Sequence, residues 1–227
     1  SLKLGKFEFT DPDFSLATQF DFLTFITKLF PMSYDTVYPE GMPMIYCGTA
    51  VLILVPLFFM NDRITMKEKT STGLLTFLLV ILMYIKPADM AMHGFQVPNW
   101  LPYRYSFIFS FLMIVMAFRA FENLEGITAK NIGGIFFGLM VFLFWCEREN
   151  YSHFQLFETK TSETGDTTNV IQGIWVSMIA LAAYFALIYL IKKYPKSKAV
   201  CIVMVGVLAV ELFANSADTI DKIDTDV

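Results

Sequence analysis

Charge is what this chain has least of. Only 17% of its 227 residues are Asp, Glu, Lys or Arg, while 56% are hydrophobic. A soluble domain of that length needs more charge to cover itself, so the composition excludes an ordinary water-soluble globule. Histidine is nearly absent, with two residues, and the three cysteines, Cys47, Cys146 and Cys201, have no metal-type spacing. There is no His-x-x-x-His, no Ser-His-Asp set and no glycine-rich phosphate loop, which removes support for soluble-type hydrolase and nucleotide chemistry. A net charge of −4 excludes nucleic acid as a partner. Asp11-x-Asp13 resembles the acidic pair of metal-dependent sugar transferases, but Pro12 makes a turn the plainer reading. No metal and no cofactor are expected. Cys47 and Cys146 would lie near the same membrane face, which leaves two readings open: a disulfide or two buried thiols.

What the chain does have is apolar residues in long runs. Six stand out, at 44–60, 72–85, 105–118, 132–145, 170–191 and 199–214. Only the fifth comfortably reaches the ~20 residues that cross a ~30 Å hydrocarbon core. The others reach it with flanking aromatics and snorkelling Lys or Arg, and 72–85 is the weakest. The fold class expected is all-α: a polytopic membrane helix bundle of six transmembrane helices, with extracytoplasmic loops carrying short helices. Segments 61–70, 119–130 and 192–198 hold Arg63, Lys67, Lys69, Arg119, Lys130 and four further lysines, so the positive-inside rule makes their side cytoplasmic. The opposite side then carries 17 of the 21 acids. This predicts a multi-pass protein of the bacterial cell membrane with both ends of the chain extracytoplasmic. Residues 1–43 form an extracytoplasmic segment, 44–215 the transmembrane region, and 216–227 an extracytoplasmic tail. The polar opening and the interrupted tail predict a piece of a longer protein, with helices upstream and a domain downstream.

Within this plan, residues 20–30 form an amphipathic run suited to lying flat on the outer leaflet. Gly134-x-x-x-Gly138, with Gly133 beside it, predicts close helix packing. Pro56 predicts a kink in the first span. Glu211 is the one acid inside an apolar run, and its closeness to Asn215 and the outer surface favours a snorkelling residue over a functional carboxylate.

The richest segment joins the second and third runs: His93-Gly94-Phe95-Gln96-Val97-Pro98-Asn99-Trp100-Leu101-Pro102-Tyr103-Arg104-Tyr105-Ser106. Pro98 and Pro102 hold it open. Arg104, at the start of the third run, suits forked hydrogen bonds to a phosphate. Trp100 and Tyr103 offer flat faces for a sugar or headgroup, and His93, Gln96 and Asn99 can read hydroxyls. An interfacial anchor would use the same residue types, so both readings stand on residues alone.

His93-Gly94-Phe95-Gln96-x-Pro98-Asn99-Trp100-Leu101-Pro102-Tyr103-Arg104-Tyr105-Ser106-Phe107 closely resembles the signature loop of the YfhO family of bacterial membrane proteins. Pro31-x-Ser33-Tyr34-Asp35, Pro43-x-Ile45-Tyr46-Cys47-Gly48 and Arg119-Ala120-Phe121-Glu122 are similar too, so the resemblance spans essentially the whole chain. Members are much longer, which makes this a central segment. The family is similar to C-superfamily glycosyltransferases and is linked to glycosylation of teichoic acids in Gram-positive envelopes. The resemblance therefore implies transfer of a sugar from a polyprenyl-phosphate carrier to an envelope polymer such as teichoic acid, on the outer face of the membrane. The partners implied are the lipid-linked donor, the polymer acceptor and membrane lipids. The donor-binding residues expected are His93, Gln96, Asn99, Trp100, Tyr103 and Arg104, and the catalytic residue is unknown and expected upstream. Rival readings are a transporter or flippase of a lipid-linked precursor, or a non-catalytic scaffold. The segment alone is expected to be inactive.

Overall fold

The computed structural model describes residues 15–34, 41–95, 102–148 and 173–225. The first apolar run turns helical only after Gly48. That glycine takes φ +100°, which a side chain would resist, and the chain bends there into α2 (Thr49–Met60). All of α2 except Pro56, Phe59 and Met60 is buried, so it forms the axis of the bundle. α3 (Met66–Tyr84) begins at an N-cap threonine, with Glu68 N–H donating to Thr65 Oγ1 at 3.2 Å. Ile85 leaves the helix, forms a single β-bridge to Thr18, and Lys86-Pro87 opens the short α4 (Lys86–Met92). α5 (Ser106–Glu122) buries Ser106, Phe109, Met113, Met116, Ala117 and Ala120, a stripe of helical period, and packs on α2. A 3-10 turn, Leu124–Gly126, leads to α6 (Ala129–Arg148). α7 (Gly173–Lys193) packs on α6, and α8 (Lys198–Thr225) packs on α7. Among the described residues, regular structure is otherwise entirely helical.

Six apolar runs thus become six helices of 12 to 28 residues, but the expected six transmembrane helices are not upheld. Among the described residues, three stretches are long and apolar enough to cross a membrane: Ala129–Cys146, Ile174–Lys193 and Lys198–Asp221. α2 has 12 residues and α5 has 17. At 1.5 Å per residue they reach only about 18 and 26 Å. α3 has 19 residues, but Lys67, Glu68 and Lys69 in its first turn shorten the apolar part. α8 runs on past the expected end of the sixth run to Thr225, because no glycine or proline interrupts it there.

Two further expectations change. Residues 20–30 turn inward rather than lying flat. α1 (Phe22–Thr27) is capped by Asp21, whose carboxylate accepts from the N–H groups of Leu23 and Thr24 at 2.9 and 3.0 Å. Phe25 in α1 and Phe30 just after it then enter the bundle: Phe25 meets Phe109 edge-on at 5.8 Å, and Phe30 stacks on Phe142 at 6.0 Å. Gly133, Gly134 and Gly138 face open space instead of a close neighbour, since α6 meets α7 through Phe136, stacked on Phe185 at 4.5 Å. All three cysteines are free thiols, with Cys146 buried.

The connections gather at two ends. At one, Asn61 Nδ2 donates to Asn123 O at 2.9 Å, Asp62 N–H to Gly126 O at 3.2 Å and Lys192 Nζ to Leu124 O at 2.8 Å. These bonds bring the three basic segments together. At the other end, Gln19 N–H donates to Tyr84 O at 3.0 Å, Ser106 Oγ to Met44 O at 3.1 Å and Met32 N–H to Asn215 Oδ1 at 2.7 Å. The histidine-bearing loop leaves from this second end.

Candidate functional site

The loop is launched by the way α4 stops. His93 is the C-cap, Gly94 takes φ +67° and Phe95 φ +61°. Phe95 N–H donates to Met90 O at 2.8 Å and Gly94 N–H to Ala91 O at 3.4 Å, the pair of bonds of a Schellman stop. A histidine followed by glycine at the end of a short helix is thus a local instruction to turn. It leaves the His93 ring folded back over the preceding turn.

There the ring meets Asp89, which is 2% exposed. His93 Nδ1 lies 2.9 Å from Asp89 O and 3.5 Å from Asp89 Oδ1. Both neighbours are acceptors, so Nδ1 carries the proton and donates. In the neutral ring, Nε2 then presents a lone pair, and this atom is buried with no hydrogen-bond partner among the described residues. Tyr105 completes the group. Its hydroxyl sits 2.7 Å from both Asp89 Oδ1 and Leu82 O, and its ring lies 5.9 Å from that of His93. Asp89 therefore ties the end of α4 to the start of α5.

The far side of the loop is fixed just as firmly. Tyr103 adopts φ +57°, is 6% exposed and packs edge-on against Phe20 at 5.9 Å. Its carbonyl accepts from Ser106 N–H at 2.8 Å, closing a turn. Arg104, between the two buried tyrosines, is exposed immediately before α5. The N-terminus of a helix carries positive potential, and a guanidinium placed there adds to it, which favours an anion.

Of the six residues expected to bind donor, the structure brings His93, Tyr103 and Arg104 to one end of the bundle. Gln96, Asn99 and Trp100 lie outside the described residues, as do Asp11 and Asp13. Among the described residues, no three His, Cys, Asp or Glu side chains converge as a metal site.

Sequence reading missed Asp89, which looked like one more acid on the acidic side, and it misjudged Glu211. The Glu211 side chain turns into the bundle. Its Oε1 accepts from Tyr46 OH at 2.6 Å, from Thr49 N–H at 2.9 Å and from Thr49 Oγ1, and its Oε2 accepts from Tyr184 OH at 2.5 Å. The available signal was the set of hydroxyls at matching depth, Tyr46 and Thr49 flanking Gly48 and Tyr184 midway along α7.

An all-helical bundle with three membrane-competent helices and apolar flanks is a helical membrane protein. Residues 1–226 match the family described as bacterial membrane protein YfhO, and the chain belongs to that family. No curated protein and no solved structure matches it.

Proposed function

We propose that the chain is the donor-binding part of a membrane glycosyltransferase. It takes a sugar from a polyprenyl-phosphate carrier and serves transfer to an envelope polymer such as teichoic acid on the outer face. The observation that carries this reading is the buried His93 Nε2, whose ring lies 5.9 Å from that of Tyr105, the residue that follows the exposed Arg104 at the head of α5. A buried acceptor with no donor among the described residues suits a hydroxyl, and a guanidinium at a helix N-terminus adds to a field that favours an anion. A sugar phosphate supplies both.

In this mechanism Arg104 and the first turn of α5 hold the carrier phosphate. They stabilise the negative charge that grows on it as the glycosidic bond breaks. A sugar hydroxyl donates to His93 Nε2, while Asp89 and Tyr105 keep the ring in the required tautomer. Tyr103 acts by fixing the turn that presents Arg104. Gln96, Asn99 and Trp100, outside the described residues, are assigned donor contacts from their residue types. The base that deprotonates the acceptor comes from another part of the protein.

The test is transfer from a polyprenyl-phosphate sugar by the intact protein in membranes. Arg104→Lys keeps the charge but loses the fork, and should lower transfer by about 10- to 100-fold at unchanged expression. His93→Phe, which fills the same space, should raise the donor KM. Wild-type transfer in both variants would end this reading. Donor lipid that moves across the bilayer without any transfer would point to a flippase.

A further inference from the structure

The end of the bundle that gathers the basic segments carries more positive charge than its own acids can pair. Segments 61–70, 119–130 and 192–198 hold nine Lys and Arg against four Asp and Glu, and every residue in them is described. The ion pairs fall on the arginines. Arg119 lies 2.8 Å from Glu68 and 3.3 Å from Glu122, and Arg63 lies 3.6 Å from Glu125. Lys192 spends its ammonium on the Leu124 carbonyl. Among the described residues, Lys67, Lys69, Lys130, Lys193, Lys196 and Lys198 have no carboxylate within ion-pair distance. Lys69 is half-buried and the other five are exposed.

Helix stability does not account for these lysines. Lys67 and Lys69 stand in the first turn of α3, Lys130 in that of α6, and Lys198 opens α8. A cation at the start of a helix opposes its dipole, and the first turns of α6 and α8 hold no acid to offset it. Their depth is informative instead. The stretches Ala129–Cys146, Ile174–Lys193 and Lys198–Asp221 all begin or end here, so Lys130, Lys193, Lys196 and Lys198 sit where the three membrane-competent helices leave the hydrocarbon. Exposed apolar side chains share that level. Met66 precedes Lys67, Ile202 follows Lys198 by one turn, and Lys193 Nζ lies 5.3 Å from the centre of the exposed Tyr194 ring. A soluble acidic partner would meet the charge but leave these apolar groups in water. A bilayer surface takes both, with phosphates at the ammonium groups and acyl chains at the apolar ones.

We infer that this end is a docking surface for anionic lipid: Lys67, Lys69, Lys130, Lys193, Lys196 and Lys198 hold the phosphodiester headgroups of the adjoining leaflet. The surface lies at the opposite end of the bundle from the His93 group. It does not depend on the transferase reading, because its occupancy is measured without any sugar transfer.

The test places the full chain in phosphatidylcholine bilayers with a trace of spin-labelled phosphatidylglycerol or spin-labelled phosphatidylcholine. The fraction of each label immobilised at the protein is read from its spectrum. Phosphatidylglycerol should be favoured by about fivefold or more at low salt. The preference should fall toward one at about 1 M salt, where the screening length is about 3 Å. It should persist when all six lysines are replaced by Arg and be lost when all six are replaced by Gln. If the glutamine variant does not fold, Lys196→Glu combined with Lys198→Glu, confined to the start of α8 and the turn before it, decides: it should lower the preference at least about twofold. Inorganic phosphate should displace phosphatidylglycerol no better than chloride at matched ionic strength. Equal immobilisation of the two lipids, a preference that survives in the folded glutamine variant or in the Glu pair, or specific displacement by inorganic phosphate overturns the proposal.

Discussion

At the residue scale, single side chains set the joints of this bundle, and Gly126 is the tightest of them. A Cβ there would sit 2.1 Å from Asn61 Oδ1 and 2.6 Å from Arg63 Cγ. Asn61 cannot give way cheaply, since its Oδ1 accepts from Arg63 N–H at 2.9 Å while its Nδ2 donates to Asn123 O at 2.9 Å. Gly126→Ala should therefore destabilise the protein by about 1–3 kcal/mol, the range for forcing atoms into a filled space. Chemical unfolding in detergent would read this as a lower midpoint. The pair Arg119–Glu68, 2.8 Å apart at the same end, makes a different prediction. The hydrogen bonds from Arg119 hold the Glu68 carboxyl below its ordinary value. A depressed carboxyl contributes stability above its unfolded pKa, and the contribution is lost as pH falls through the folded one. Below about pH 4, where a free glutamate protonates, the wild type should lose this contribution progressively. Arg119→Met should lack it at every pH, so the difference between the two midpoints should shrink on acidification. A constant difference from pH 7 to strong acid would show that the pair carries no linked proton. The contribution is small in either case, because the pair is partly exposed to solvent.

At the element scale, α8 depends on Glu211. Every residue in its span-competent stretch keeps some exposure, and Ile202, Val205, Val210 and Phe213 face outward. Apolar contact alone therefore holds it weakly, and the carboxylate links it to α2 through Tyr46 and Thr49 and to α7 through Tyr184. Glu211→Leu would leave several inward donors without an acceptor, at a cost of about 2–4 kcal/mol. Glu211→Gln keeps one carbonyl oxygen and should lose less. Hydrogen exchange of the α8 amides should follow the order Leu, Gln, wild type, from fastest to slowest, and equal exchange in all three would remove Glu211 as the tether. The same helix shows why sequence carries some facts and hides others. Hydrophobic run length is local, so the positions of the six helices α2, α3 and α5 to α8 were legible. So was the special loop around His93 and Arg104. The positive φ of Gly48, by contrast, was not read from the sequence. The inward turn of Glu211, the use of Asp89 as a brace between α4 and α5, and the inward packing of Phe25 and Phe30 all depend on residues from distant segments. No local pattern encodes them. The number of crossing helices failed for a related reason: α2 is short because it is enclosed by protein, and a run-length rule treats every apolar run as if it met lipid.

At the scale of the whole molecule, apolar side chains are exposed on several helices, among them Leu74 and Phe77 on α3, Phe107 and Phe111 on α5, and Phe137 and Phe144 on α6. Such a belt requires lipid or further helices around it. Above and below the belt the two ends differ in chemistry. One gathers the basic segments through Asn61, Asn123, Leu124 and Lys192, and the other carries the His93 group and Arg104. Our reading that the ligand-binding end faces outward follows from that asymmetry and the positive-inside rule. It is tested by single cysteines placed at exposed positions, with Cys47, Cys146 and Cys201 replaced by alanine. Phe95→Cys and Asp221→Cys should react with an impermeant maleimide on intact cells, whereas Lys130→Cys and Lys196→Cys should react only after the membrane is opened. The reverse pattern would put the His93 loop in the cytoplasm and remove the outer-face donor from the proposed chemistry. Labelling of Lys196→Cys together with Asp221→Cys on intact cells would break the two-ended arrangement itself, because the membrane-competent stretch of α8 lies between those positions.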